Sequence, residues 1–98
     1  MPKYVVLWNL TDQGARDLPN LPQRVQDART AAEQHGVKVI GWYLTMGRYD
    51  VVTVVEAQDE QTVAAGLLAI ARGGNVRSET LRAFDEDEMA QLVQSIGG

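Results

Sequence analysis

Residues 37–56 read VKVIGWYLTMGRYDVVTVVE. Val37 to Met46 and Tyr49 to Glu56 are rich in β-branched and aromatic residues, and only Gly47-Arg48 stands between them. Runs of that composition favour strands. A glycine that takes positive φ lets two residues reverse the chain. The segment is therefore expected to form a β-hairpin.

Upstream, Gly36 is suited to end a helix. Pro22 fits a first helical turn, where its missing N–H costs nothing. A helix over Pro22 to His35 would bury Val25, Ala28, Ala32 and His35, which recur at helical spacing. These side chains are short, so the helix is expected to sit close to whatever it covers. Before it, Thr11-Asp12-Gln13-Gly14 and Leu18-Pro19-Asn20-Leu21-Pro22 form the longest irregular stretch, about a dozen residues. Tyr4 to Leu10 (YVVLWNL) reads as another strand.

Downstream, Asp59 can cap a helix running to Arg72, with Val63, Gly66, Leu67 and Ile70 on one stripe. Gly73-Gly74 ends it, and Asn75 to Phe84 reads as a fourth strand. Asp85 and Glu88 have capping-box spacing ahead of Met89, Leu92, Val93 and Ile96, with Gly97-Gly98 closing that helix. The order β-α-β-β-α-β with a C-terminal helix is the ferredoxin-like pattern of the α+β class, both long helices lying on one face of an antiparallel sheet. One domain is expected over residues 1–98.

Strand alternation separates Val5 and Leu7 from Tyr4, Val6, Trp8 and Leu10. It likewise separates Val52 and Val54 from Tyr49, Val51, Thr53 and Val55. Both faces of the sheet are apolar, yet the helices cover one. If the uncovered face carries Trp8, Val51 and Val55, a soluble monomer would expose a large apolar patch. A second copy packed sheet to sheet would cover it; the terminal helix folding back is the alternative.

The segment Tyr43-Leu44-Thr45-Met46-Gly47-Arg48-Tyr49-Asp50-Val51-Val52, followed by Glu56 and Asp59, resembles the GYD-domain proteins. Their Gly-x-Tyr-Asp falls on Gly47, Tyr49 and Asp50. Thr11, Gln13 and Gly14 support the resemblance, as does Gly74-Asn75-Val76-Arg77-Ser78-Glu79-Thr80, so that it spans about residues 4 to 84. It implies a ferredoxin-like fold of the dimeric α/β-barrel type, found mostly in bacteria and archaea, with no established activity. The sequence departs from the family at Leu18-Pro19-Asn20-Leu21-Pro22, where a more basic stretch is usual. That speaks against an anion-binding loop there.

Gly47, Tyr49 and Asp50 admit two readings. In one they are turn chemistry, Asp50 satisfying local backbone donors. In the other, Tyr49 and Asp50 line a pocket and Asp50 accepts a proton or hydrogen bond. Asn75, Arg77 and Glu79 alternate on one strand face. They form cross-strand or intersubunit pairs, or else a polar site for a small anion with Arg77 as planar donor. Tyr43 and Arg48 would complete that site from the hairpin. The candidate ligand-binding set is thus Tyr43, Arg48, Tyr49, Asp50, Asn75, Arg77 and Glu79.

Composition narrows the function classes. There are 98 residues, 45% apolar and 22% charged, with no cysteine and one histidine. Disulfides, thiolate chemistry, Fe–S clusters and a zinc site are disfavoured. His35 beside Gly36 reads as a helix-terminal residue interacting with the dipole. The net charge of −4 is concentrated in Asp85-Glu86-Asp87-Glu88; the remaining nine acidic residues balance nine basic ones. That run lacks the spacing of a calcium loop and suits a helix start. Arg72-Gly73-Gly74-Asn75 leads into a strand, whereas a phosphate cradle leads into a helix. No cofactor, metal, nucleic-acid or membrane partner is expected. Met1-Pro2-Lys3-Tyr4 shows no leader pattern, and a cytoplasmic protein is expected. The expected function is a homo-oligomeric protein binding a small polar ligand or a partner. The alternative is a small cofactor-independent enzyme performing acid–base or oxygen chemistry in the barrel cavity with Tyr43, Tyr49, Asp50, Arg77 and Glu79.

Overall fold

The hairpin forms, with a wider turn than expected. In a computed structural model, which describes residues 1–97, β2 (Lys38–Leu44) pairs antiparallel with β3 (Val51–Glu56). Thr45 to Asp50 are all loop. Thr45 N–H donates to the Asp50 carbonyl at 2.9 Å and Thr45 Oγ1 to the Tyr49 carbonyl at 2.6 Å. These two bonds take the backbone groups that a two-residue turn would have placed in the ladder. Gly47 has φ +99°, as the reversal requires. At the other end of β2 a bulge lies between Val39 and Gly41. A Cβ on Gly41 would come 3.3 Å from the Tyr43 ring, so the close approach favours glycine there.

The remaining strands are β1 (Lys3–Leu10) and β4 (Val76–Ala83), in the all-antiparallel order β2-β3-β1-β4. Helices α2 (Leu21–Gln34) and α3 (Glu60–Ala71) are the two crossovers, and the fold is ferredoxin-like, of the α+β class. The stretch expected to be irregular is instead helical: α1 (Asp12–Ala15) and a 3-10 turn (Leu18–Asn20). The Thr11 side chain accepts from Gly14 N–H and starts the first, while Pro19 sets φ in the second. Asp59 caps α3 by accepting from Thr62 N–H at 2.9 Å. Gly36 and Gly74, at φ +85° and +78°, end α2 and lead out of α3.

The core lies between the sheet and α2 and α3. Tyr4, Val6, Val37, Val55, Ala57 and Val63 are buried together, with Trp8, Ala32, Val39 and Leu67 packed against them. Each apolar side chain of this size contributes roughly 1.5–3 kcal/mol on full burial. Trp8, Val51 and Val55 therefore face the helices, and the expectation that they line the uncovered face is corrected. Alternation fixes which residues share a face, but not which face the helices take. The uncovered face carries Val5 and Leu7 opposite Val54 and Val52, flanked by Leu81 and Glu79 on β4 and Tyr43 on β2.

Helix α4 (Glu86–Ser95) begins with the expected capping box between Asp85 and Glu88. Lys3 Nζ to Asp85 at 3.3 Å and Arg82 to Glu88 at 3.7 Å tie its first turn to β1 and β4. Beyond that turn its apolar stripe stays exposed, from Val93 at 42% to Ile96 at 82%. The helix does not fold back over the sheet. The radius of gyration is 15.0 Å, against about 13 Å for a compact domain of this length. Gly97, at φ +75°, follows α4; Gly98 lies outside the described residues.

Candidate functional site

The sequence candidates divide between two places. Four gather on the uncovered sheet face. Tyr49 Oη donates to Glu79 Oε2 at 2.8 Å, bridging the hairpin loop to β4. Arg77 stands two residues along β4 from Glu79, and Tyr43 lies across the sheet at 63% exposure. Glu79 is paired with Leu7 in the ladder and Arg77 with Asn9, so both charges flank the apolar strip of β1. The hydrogen bond to Glu79 raises the Tyr49 phenol above its ordinary value of 10.0. Partial burial and the Glu79 charge add to this, and the nearby Arg48 guanidinium opposes it. The Tyr49 hydroxyl is therefore favoured in its protonated form, as the donor to Glu79.

The other candidates hold backbone. Asp50 N–H donates to the Trp8 carbonyl at 2.8 Å, and Asp50 Oδ2 accepts from Leu10 N–H at 2.8 Å. The carboxylate thereby continues the β1–β3 pairing beyond Val51. Arg48 lies at the loop tip, its carbonyl accepting from Asn9 Nδ2 at 2.8 Å and its guanidinium 5.8 Å from the Tyr49 ring centroid. Asn75 precedes β4 and turns to the α1 end of the molecule. Its carbonyl accepts from Thr11 N–H at 3.0 Å and its Oδ1 from Gln13 Nε2 at 3.1 Å. A Cβ on Gly14 would stand 2.2 Å from that same Asn75 carbonyl oxygen. Arg77 lines a shallow pocket at that same end with Thr11, Asp12 and Gln13, so the candidates do not close around one common point.

A second site was not anticipated. Between α2, α3 and the sheet lies a cavity of about 390 Å³. Trp8 and Trp42 stand on its sheet side, Ala28 and Ala32 on α2, and Gly66 and Leu67 on α3. Trp8 Nε1 donates to Thr53 Oγ1 at 3.0 Å, beneath the cavity. The short residues of α2 had pointed to a close helix–sheet approach. Ala32 does pack against the core, while Ala28 and Ala32 also line the cavity beside the two indoles. Arg24 and Arg29 reach the cavity from the flanks of α2. Cavity-lining by arginine carries no local signature, so sequence reasoning passed over both residues.

Among the described residues, no three His, Cys, Asp or Glu side chains converge as a metal set, and no helix is long and apolar enough to cross a membrane.

Comparison with known proteins follows the same lines. A Thermus thermophilus protein named glutamine synthetase and cystathionine beta-lyase binding protein is 43% identical over 85 residues, covering 86% of this chain and 90% of that one. Among solved structures, MtbAldR superposes with a TM-score of 0.65 at 15% identity, over 87% of this chain and 52% of that chain. This chain spans about half the length of that protein, and the likeness concerns the fold. A crystal structure of a protein from Thermus thermophilus gives a TM-score of 0.56 at 26% identity, over 87% and 95% of the two chains. The GYD domain model matches residues 4–93, from the first buried residue of β1 into α4. The chain belongs to the GYD domain family.

Proposed function

We propose that this protein is a homo-oligomeric binding module that pairs with a second copy through the uncovered sheet face and docks onto an enzyme partner. The observation that carries the reading is the apolar strip of Val5, Leu7, Val52 and Val54, which no element among the described residues covers. A two-fold pairing of this face is self-complementary, because Arg77 and Glu79 lie on it together and a rotation can set one against the other. The projecting α4, with Met89, Leu92, Val93 and Ile96 exposed, adds apolar surface to such an assembly. This is the dimeric α/β-barrel arrangement that the family resemblance implies.

The enzyme partner is supported by the Thermus relative's name, which specifies binding to glutamine synthetase and cystathionine beta-lyase. Within this reading, Tyr43, Arg48, Tyr49, Arg77 and Glu79 supply polar contacts at the rim, for a second copy or for a small polar ligand held between copies. The reading takes the protein as cytoplasmic and prokaryotic.

Light scattering on the purified chain at micromolar concentration tests the assembly, with a dimer or larger species expected. Val54→Asp places a charge in the centre of the strip and yields monomer. A wild-type chain that remains monomeric refutes the assembly. Mixing with purified glutamine synthetase and with cystathionine beta-lyase, read as a shift in sedimentation, tests the partner. The absence of a shift with both refutes that part.

A further inference from the structure

We propose that the cavity between the two long helices and the sheet binds a small aromatic carboxylate. This goes beyond the assembly reading, since the cavity walls face away from the uncovered sheet surface. A volume of about 390 Å³ is within the range of small-molecule sites.

The walls specify the chemistry. Trp8, Trp42, Val51 and Leu67 offer flat and apolar surface, suited to an aromatic ring. Most of the polar groups that reach the cavity are already engaged. Trp8 Nε1 is bonded to Thr53, Asp50 Oδ2 to Leu10 N–H, and Asp27 Oδ1 accepts from Gln23 Nε2 at 2.9 Å. Arg24 donates to the Gly14 carbonyl at 3.2 Å and lies 3.6 Å from Asp17. Arg24 Nη1 is also buried without a hydrogen bond, but it stands 3.6 Å from the Asp17 carboxylate; Arg29 Nε is buried without a hydrogen bond, and Arg29 has no carboxylate partner among the described residues. A buried cationic donor without an acceptor is unfavourable, and a ligand carboxylate supplies what Arg29 lacks. Apolar walls beside a guanidinium that lacks a carboxylate partner suit an anion carried on a ring.

The test uses trans-cinnamate and its neutral isostere cinnamamide, followed by two-dimensional proton–nitrogen NMR. Both tryptophans of the chain line the cavity, so the two indole N–H signals report on it directly. Cinnamate is expected to shift both indole signals and the Ala28 and Leu67 amides saturably, leaving Leu7 and Val54 on the other sheet face unmoved. Arg29→Gln weakens cinnamate about tenfold or more, the effect of losing one charged hydrogen bond, and leaves cinnamamide unchanged. Ala28→Leu, which fills the cavity, weakens both. If Arg29→Gln does not fold, Arg29→Met is read in its place, and an unchanged cinnamate affinity overturns the assignment. Equal binding of cinnamate and cinnamamide overturns it as well, as do shifts confined to the uncovered sheet face or the absence of saturable shifts. None of these outcomes depends on whether the protein assembles.

Discussion

Replacing Gly14 by alanine tests whether the α1 turn is locked against the start of β4. Gly14 is buried, its N–H donating to Thr11 Oγ1 and its carbonyl accepting from Arg24 Nη2. Its backbone is helical, so alanine is not opposed by φ. The contact decides. An added Cβ would lie 2.2 Å from the Asn75 carbonyl oxygen, 3.1 Å from its carbon and 3.3 Å from its Cα, all backbone atoms. Relief requires about 1 Å of separation to restore ordinary van der Waals contact. That movement breaks the 3.0 Å bond from Thr11 N–H to the Asn75 carbonyl and loosens the Gln13–Asn75 contact. Overpacking costs about 1–3 kcal/mol and a lost hydrogen bond about 1. Alanine returns up to ~1 kcal/mol through its better helix propensity. The net destabilisation is about 1–3 kcal/mol, which lowers Tm by at least ~4 °C in a chain of this size. Urea unfolding followed by circular dichroism measures it at one fixed protein concentration, since assembly shifts apparent stability. A Gly14→Ala variant as stable as the parent refutes the locked junction.

Gly66→Ala is the complementary case. It sits inside α3, the nearest atom to its added Cβ is Val37 Cγ2 at 3.8 Å, and the same assay should show a gain of about 1 kcal/mol. Asp59 and Asp85 are held below their ordinary value of 3.8, chiefly by the backbone N–H groups of Thr62 and Glu88 that they cap. A carboxyl depressed on folding contributes stability that is complete above its unfolded value and is lost as pH falls through the lower folded value. The urea midpoint should therefore fall with acidification below about pH 4, and the double variant Asp59→Asn, Asp85→Asn should show a flatter fall over that range. Ending the chain at Asp85 removes α4 but no member of the buried core. Circular dichroism should show the sheet intact and cooperative unfolding retained, while light scattering reports the loss of any assembly that uses α4.

Element types were legible because the local signals agreed. The alternation in Tyr4–Leu10 and Val51–Glu56, the Asp59 cap and the Asp85–Glu88 box each specify one element without reference to the rest of the fold. The hairpin turn was not legible in its width. A glycine fixes where a chain can reverse, but the width is set by Thr45, which bonds the Asp50 and Tyr49 carbonyls, and by Asp50, which bonds the end of β1. The face assignment failed for a different reason. Tyr4, Val6 and Trp8 form one apolar row, and Val5 and Leu7 form another of similar hydrophobicity. A period of two cannot say which row meets the helices. The two helices decide it through Ala32, Val63 and Leu67, whose partners are set only once the chain has closed.

The candidate site divides by the same logic. Tyr49 and Glu79 lie thirty residues apart and meet because register sets β4 beside β1 while the hairpin loop leans across. Residue type had suggested a polar cluster there, and geometry narrows it to a phenol–carboxylate pair with Arg77 along the same strand. The cavity shows where reasoning from one element stops. Short side chains on α2 permit close packing, but the space between two surfaces depends on both of them. Trp8 and Trp42 occupy the facing surface, and a helix carrying Ala28 and Ala32 cannot interdigitate with two indoles as a row of longer side chains would. Ala32 still meets the core, and the void lies beside it. An arginine beside that void with no acceptor of its own turns a packing question into a question about ligands.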